Sequence, residues 1–173
     1  MVYLIGIKHE FQHNGHGGIN GHVREKFISC LENEIKIHSV FLVAEEFSEE
    51  ALQKSDATIS TLKHVADKLK INHFFCDPNT EERKIIGIPS REEIKNTLNI
   101  KGPVYENSVD DNRIEEEQRK YHQIRENFWL EKIKIYLKKP IIFLCGLDHL
   151  ENFKLLLDNK GYETEVLVLQ LND

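Results

Sequence analysis

Five apolar runs recur along this 173-residue chain, separated by amphipathic stretches, and that alternation restricts the fold more than any other feature. The runs are VYLIGI at 2–7, SVFLVA at 39–44, NHFFCD at 72–77, PIIFLC at 140–145 and TEVLVLQL at 164–171. The first is apolar almost throughout instead of alternating, the pattern of a strand covered on both faces. Between the runs, 23–35 puts Val23, Phe27, Cys30 and Leu31 on one helical face, and 57–70 does the same with Ile59, Leu62, Val65, Ala66 and Leu69. Ser90 followed by Glu93 is a capping-box signature for a helix over 90–98. A long helix is expected over roughly 113–138, stopped before Pro140, and a last one over 148–159 with Gly161 as its C-cap. This order predicts an α/β fold: a single domain over 1–173, with a largely parallel five-stranded sheet and helices on both faces. Two segments show neither period. Residues 10–22, rich in Gly, Asn and His, read as a long loop, and 101–113, punctuated by Pro and Gly, as a loop or flap.

The length allows one domain to bury a core without disulfide or metal staples. A net charge of −6 argues against a nucleic-acid partner, which usually demands a basic excess. The basic stretch KIKIYLKK is diluted by acidic neighbours. Cys30, Cys76 and Cys145 are scattered and form no CxxC pair. With no signal-peptide pattern at the N-terminus, the expected location is cytoplasmic, and no run approaches the length of a membrane span. The Gly-rich HNGHGGINGH follows the first strand, yet it is neither GxGxxG nor a Walker loop and gives nucleotide binding little support.

In an open parallel sheet, ligands bind outside the carboxyl ends of the strands. The first strand delivers His9 there, the second Glu45 and Glu46, the third Asp77, and the fourth Gly146 and His149. The first and fourth strands share a signature, Gly-x-x-His, in LIGIKH and CGLDH. Gly6 and Gly146, lacking a Cβ, suit a sharp turn off the strand or a close approach by a neighbour. His149 falls in the first turn of a helix, whose positive end disfavours imidazolium and keeps the ring neutral for ligation or base work. Plainer roles compete. Asp77 before Pro78 can cap the helix that starts near Asn79. His13, His16 and His22 are either extra ligands or solvated loop residues, and His38, His64 and His73 read as surface or strand-edge residues. Arg83 either binds an anionic substrate group or pairs on the surface. Tyr121, Arg125, Phe128 and Trp129 share a helical face that reads as core packing, with Arg125 the odd member reaching toward the cleft.

Two Gly-x-x-His motifs with a glutamate closing an intervening strand resemble the erythromycin esterase/ChaN-like superfamily, which includes the TraB/PrgY and Tiki proteins. The matching residues are Gly6 and His9 in LIGIKH, Glu45 in VAEEF, and Gly146 and His149 in FLCGLDHLENF. The resemblance favours Glu45 over Glu46, because an aromatic or apolar residue, here Phe47, follows one position further on. It implies an α/β fold with the site at the carboxyl edge of the sheet and hydrolytic activity. Tiki-like members are metal-dependent proteases, erythromycin-esterase-like members open a lactone with a histidine base, and ChaN-like members associate with haem iron. The motifs cover about a dozen residues, and FFCDPNTEERKIIGI belongs to no motif of that group.

The resulting expectation is a hydrolase of ester, lactone or amide bonds acting on a small-molecule or peptide substrate. His9, Glu45 and His149 either hold a divalent metal (Mn, Co or Zn) or activate water directly, while Arg83, Arg125 and Asp77 contact substrate. The alternative is a non-enzymatic module that binds a small ligand or metal.

Overall fold

The computed structural model describes residues 1–19 and 21–169. Five strands form one all-parallel sheet: β1 (Val2–Ile7), β2 (Leu42–Glu45), β3 (Asn72–Phe75), β4 (Ile141–Gly146) and β5 (Thr164–Val166), in the order β3-β2-β4-β1-β5. The alternation of side chains along each strand divides the core in two. Val2, Leu4, Leu42, Ala44, Ile141 and Phe143 face helices α7 (His122–Ile133) and α8 (Leu147–Asn159), meeting Trp129, Ile133, Phe153 and Leu157. Ile5, Ile7, Val43, Ile142 and Leu144 face the other way, onto Phe27, Leu31 and Ile35 of α1 (Gly21–Ile37) and Leu62, Val65 and Ala66 of α3 (Thr61–Leu69). The expected α/β fold with both faces of the sheet covered is therefore what the chain adopts.

Several boundaries differ from expectation. The helix read as 113–138 is two, α6 (Val109–Arg119) and α7, followed by a single 3-10 turn. The break at Lys120 and Tyr121 lies where the packing partner changes. Ile114 of α6 is buried against Ile94 of α5 (Arg91–Thr97) and Ile100, a small cluster away from the sheet, whereas α7 lies on the sheet itself. One straight axis cannot serve both surfaces. The flap expected over 101–113 ends early for the same reason: Ser108 caps α6, accepting from the Asp111 N–H at 3.1 Å, and only the part before it is loop. One short helix adds to the expected set, α2 (Glu49–Lys54), and the helix expected to start near Asn79 is α4 (Thr80–Ile85). β5 covers less than 164–171, and the part of that span from 170 onward lies outside the described residues. Gly161 takes φ +82° just past α8, as a helix-ending glycine should. The capping box at Ser90 and Glu93 is formed.

Where the chain leaves each strand decides where a ligand can enter. β1 and β2 connect through helices on the α1/α3 face, while β4, which lies between them, connects through α8 on the opposite face. Loops that part to opposite sides of a parallel sheet open a crevice at the carboxyl ends of the strands. His9, Glu46 and His149 follow the three strands that border it.

Candidate active site

His9 sits in a 3-10 turn (His9–Phe11) directly after β1, and His149 in the first turn of α8 directly after β4. Both rings line one cavity of about 460 Å³, together with Lys8, Arg119, His122 and Arg125. The close approach rests on Gly146. A Cβ there would lie 3.3 Å from the Cε1 and Nε2 atoms of His9 and 3.3 Å from Oε2 of Glu46. Gly6 serves packing instead. A Cβ on it would come within 2.8 Å of Leu150 Cδ2, so its absence lets α8 settle on β1. Neither glycine makes a turn by left-handed backbone.

The glutamate that reaches His149 is Glu46. Its Oε1 lies 3.4 Å from His149 Nε2, and its Oε2 accepts the Gly146 N–H at 2.7 Å. Glu45 points to the opposite face. It is fully buried there, accepting from Ser60 Oγ and paired with His73 Nε2 at 2.7 Å. Adjacent residues at a strand end project to opposite sides, so only one of the pair can enter the crevice from the α7/α8 face. The preference for Glu45 is thereby corrected for contact with His149. His73, expected at the surface or a strand edge, lies on the edge strand β3 with its side chain buried against Glu45. The second carboxylate oxygen of Glu45 has no protein partner.

Arg125 from α7 ties the crevice together. Its Nη2 donates to Glu46 Oε1 at 2.6 Å and to Asp77 Oδ1 at 2.7 Å, its Nε to the same Asp77 oxygen at 3.0 Å, and its Nη1 lies 3.1 Å from His149 Nε2. Asp77 also accepts from Arg83 Nη2 at 2.6 Å and Trp129 Nε1 at 3.2 Å. Burial alone would raise the Asp77 pKa, but Arg125 and Arg83 outweigh it and hold the carboxyl below its usual value. Asp77 caps nothing, because Asn79 caps α4. Of the three residues expected to touch substrate, only Arg125 lines the histidine cavity, and one Nη1 hydrogen is all it has to spare. Asp77 and Arg83 serve to fix Arg125.

The tautomers follow from fixed partners. Gln12, fully buried, donates its Nε2–H to the Glu46 carbonyl at 2.7 Å, which turns Oε1 toward His9 Nδ1 at 2.9 Å. His9 therefore donates from Nδ1, leaving the Nε2 lone pair facing Gly146 and the crevice. His149 Nδ1 lies 2.8 Å from Glu126 Oε1, so its Nε2 is likewise the atom that accepts. Burial lowers the His149 pKa to about 4, with Arg125 adding to the effect and Glu46 opposing it. His122, whose ring centroid is 3.9 Å from that of His149, is also lowered to about 4 by burial and by the neighbouring His149. Burial raises the pKa of Glu126.

His122, Glu126 and His149 each offer a ligand atom within 4.8 Å of the others, a group that could hold a metal ion. The donor types, two imidazoles kept neutral and one carboxylate, suit a divalent cation. Both His149 nitrogens are engaged, however, Nδ1 with Glu126 and Nε2 with Arg125, so an ion would have to displace one of those contacts. Sequence reasoning misses His122 and Glu126, although they stand at i,i+4 on α7, a spacing that places both on one face. The aromatic stripe beside them hides the signal.

The loop after β1 is held rather than free. Thr61 N–H donates to Gln12 O at 2.7 Å and His16 N–H to Ser55 O at 2.7 Å, and His13 stacks on Phe47 with ring centroids 5.7 Å apart. Among the described residues of 10–22, none joins the cation group. No helix of the described residues is long and apolar enough to cross a membrane. No family model, no curated protein and no solved structure matches this chain.

Proposed function

We propose that this chain is a hydrolase of ester, lactone or amide bonds, working in the crevice where β1, β2 and β4 end. The observation that carries this reading is the orientation of His9. Its Nδ1–H is spent on Gln12, so a basic nitrogen is aimed into a cavity also lined by His149 and Arg125.

In the reaction, His9 Nε2 takes a proton from water as the water oxygen bonds to the carbonyl carbon. The proton passes to the departing oxygen or nitrogen as the C–O or C–N bond breaks. Arg125, fixed by Asp77 and Glu46, keeps one Nη1 hydrogen for negative charge on the carbonyl oxygen. A divalent cation held by His122, Glu126 and His149 would supply Lewis-acid polarisation of that carbonyl. The low pKa of His149 suits it to hold a ligand or remain a neutral partner, and makes it the weaker candidate for base.

The test combines metal analysis of the purified protein with assays on an ester, a lactone and a peptide, using wild type, His9→Ala and His149→Ala. The expected result is turnover of at least one bond class, lost in His9→Ala. Turnover unchanged in His9→Ala overturns the mechanism. Stoichiometric metal with no turnover of any substrate leaves a metal-binding module in place of an enzyme.

A further inference from the structure

β5 pairs with β1 only as far as Leu4, and the last bond on that edge runs from the Leu167 N–H to Leu4 O at 2.8 Å. Beyond it, no strand of the described residues pairs with the edge of β1 at residues 5–7, and an apolar groove of about 450 Å³ lies there. Its walls are Phe11 from the 3-10 turn, Leu147 and Leu150 from α8, Val166 at the end of β5 and Val168 just after it. Leu147 is 56% exposed and Val168 83% exposed, so apolar surface faces water on both sides of the groove.

The groove does not stand alone. Ile7, Lys8 and Leu147 line both it and the histidine cavity, so the two spaces meet at a shared wall beside His9. One is bordered by imidazoles and guanidinium groups, the other mainly by aliphatic and aromatic carbon, with Lys8 and Glu10 also on its lining. A partner protein would need a broad apolar face, whereas this groove adjoins the cavity that the reactive groups line.

We propose that the groove holds the apolar arm, an acyl or alkyl chain, of the substrate whose scissile carbonyl lies beside His9. This inference rests on the hydrolase reading. It names the substrate class as amphiphilic: a hydrocarbon chain on one side of the bond and a polar group on the other. Selection comes from removing the chain from water, a contribution that grows with each methylene.

The experiment uses p-nitrophenyl esters from acetate to octanoate on the full chain, with octanoate binding measured by calorimetry in parallel. The structure predicts that kcat/KM rises about two- to fourfold per methylene, mainly through KM, the upper figure being full burial of each group. Val168→Asn, a change at an exposed position outside the catalytic residues, should lower the octanoate-to-acetate ratio about fivefold with acetate turnover unchanged. A flat chain-length series in an active enzyme overturns the proposal and leaves the hydrolase standing. If no ester is turned over, the ester form of the hydrolase reading fails and the octanoate titration decides the groove. Octanoate binding that weakens in Val168→Asn would then still support an apolar-chain site, and no octanoate binding would overturn that too.

Discussion

Replacing Arg125 with Met is the most informative single perturbation, because the arginine neutralises two carboxylates that the fold has taken out of water. The Glu46 side chain is almost fully buried and that of Asp77 is nearly so, and Arg125 binds both at 2.6–2.7 Å. Methionine fills most of the arginine stem volume, so the loss is electrostatic and not a cavity. Removing one partner of a buried ion pair typically costs about 3–5 kcal/mol, since the remaining charge stays buried and unpaired. Arg83 still holds Asp77, which places the expected cost at the lower end, about 3 kcal/mol. That corresponds to a fall in Tm of roughly 6–12 °C for a chain of this size. Trp129, the sole tryptophan, is buried and donates to Asp77, so its fluorescence reports on the network directly during urea unfolding. The pH dependence checks the cause. Asp77 is held below its ordinary value in the native protein, so it adds stability above the unfolded carboxylate range, near pH 3.9, and loses it as pH falls through the lower native value. Without Arg125, part of that contribution is missing at pH 7. The gap between wild type and variant should therefore be widest at neutral pH and narrow below about pH 4. A gap under about 1 kcal/mol at pH 7, the size of an exposed pair, would refute the reasoning. So would a gap that is constant with pH.

Gly146→Ala places a methyl 3.3 Å from Glu46 Oε2 and the His9 ring, so the fold should survive while turnover falls about tenfold through a displaced base, read as kcat against Tm. Ser60→Ala removes the N-cap of α3 and a donor to buried Glu45 together. It should cost about 2–3 kcal/mol in chemical denaturation, and a loss below about 0.5 kcal/mol would show that the Glu45 contact has no weight. In metal-stripped protein, His149 and His122 stay neutral to about pH 4 while the unfolded chain protonates near 6.5. Stability should consequently fall as pH drops from 6.5 to 4, and His149→Gln should flatten that fall.

Much of the fold was legible because its signals are local. Strands β1 and β4 are buried on both faces and read as unbroken apolar runs, while caps such as Ser90 with Glu93 involve residues three apart. His9 and His149 were legible as strand-end residues for the same reason: the rule that sites lie at the carboxyl edge needs only strand order along the chain. Elements whose neighbours lie far off in sequence were not. The turn dividing α6 from α7 has neither Pro nor Gly to announce it, and exists because Ile114 and Trp129 pack on different surfaces.

The sequence by itself determined that this chain builds a parallel α/β sheet and that ionisable groups cluster where its strands end. Only the tertiary structure decided which of two adjacent glutamates meets His149, that Arg125 is held by Asp77, and that α7 brings His122 and Glu126 beside a ring from α8. The reason is geometric. A shift of one residue at a strand end sends a side chain to the opposite face, and contacts between residues 23 to 100 positions apart depend on sheet order, which no local pattern encodes.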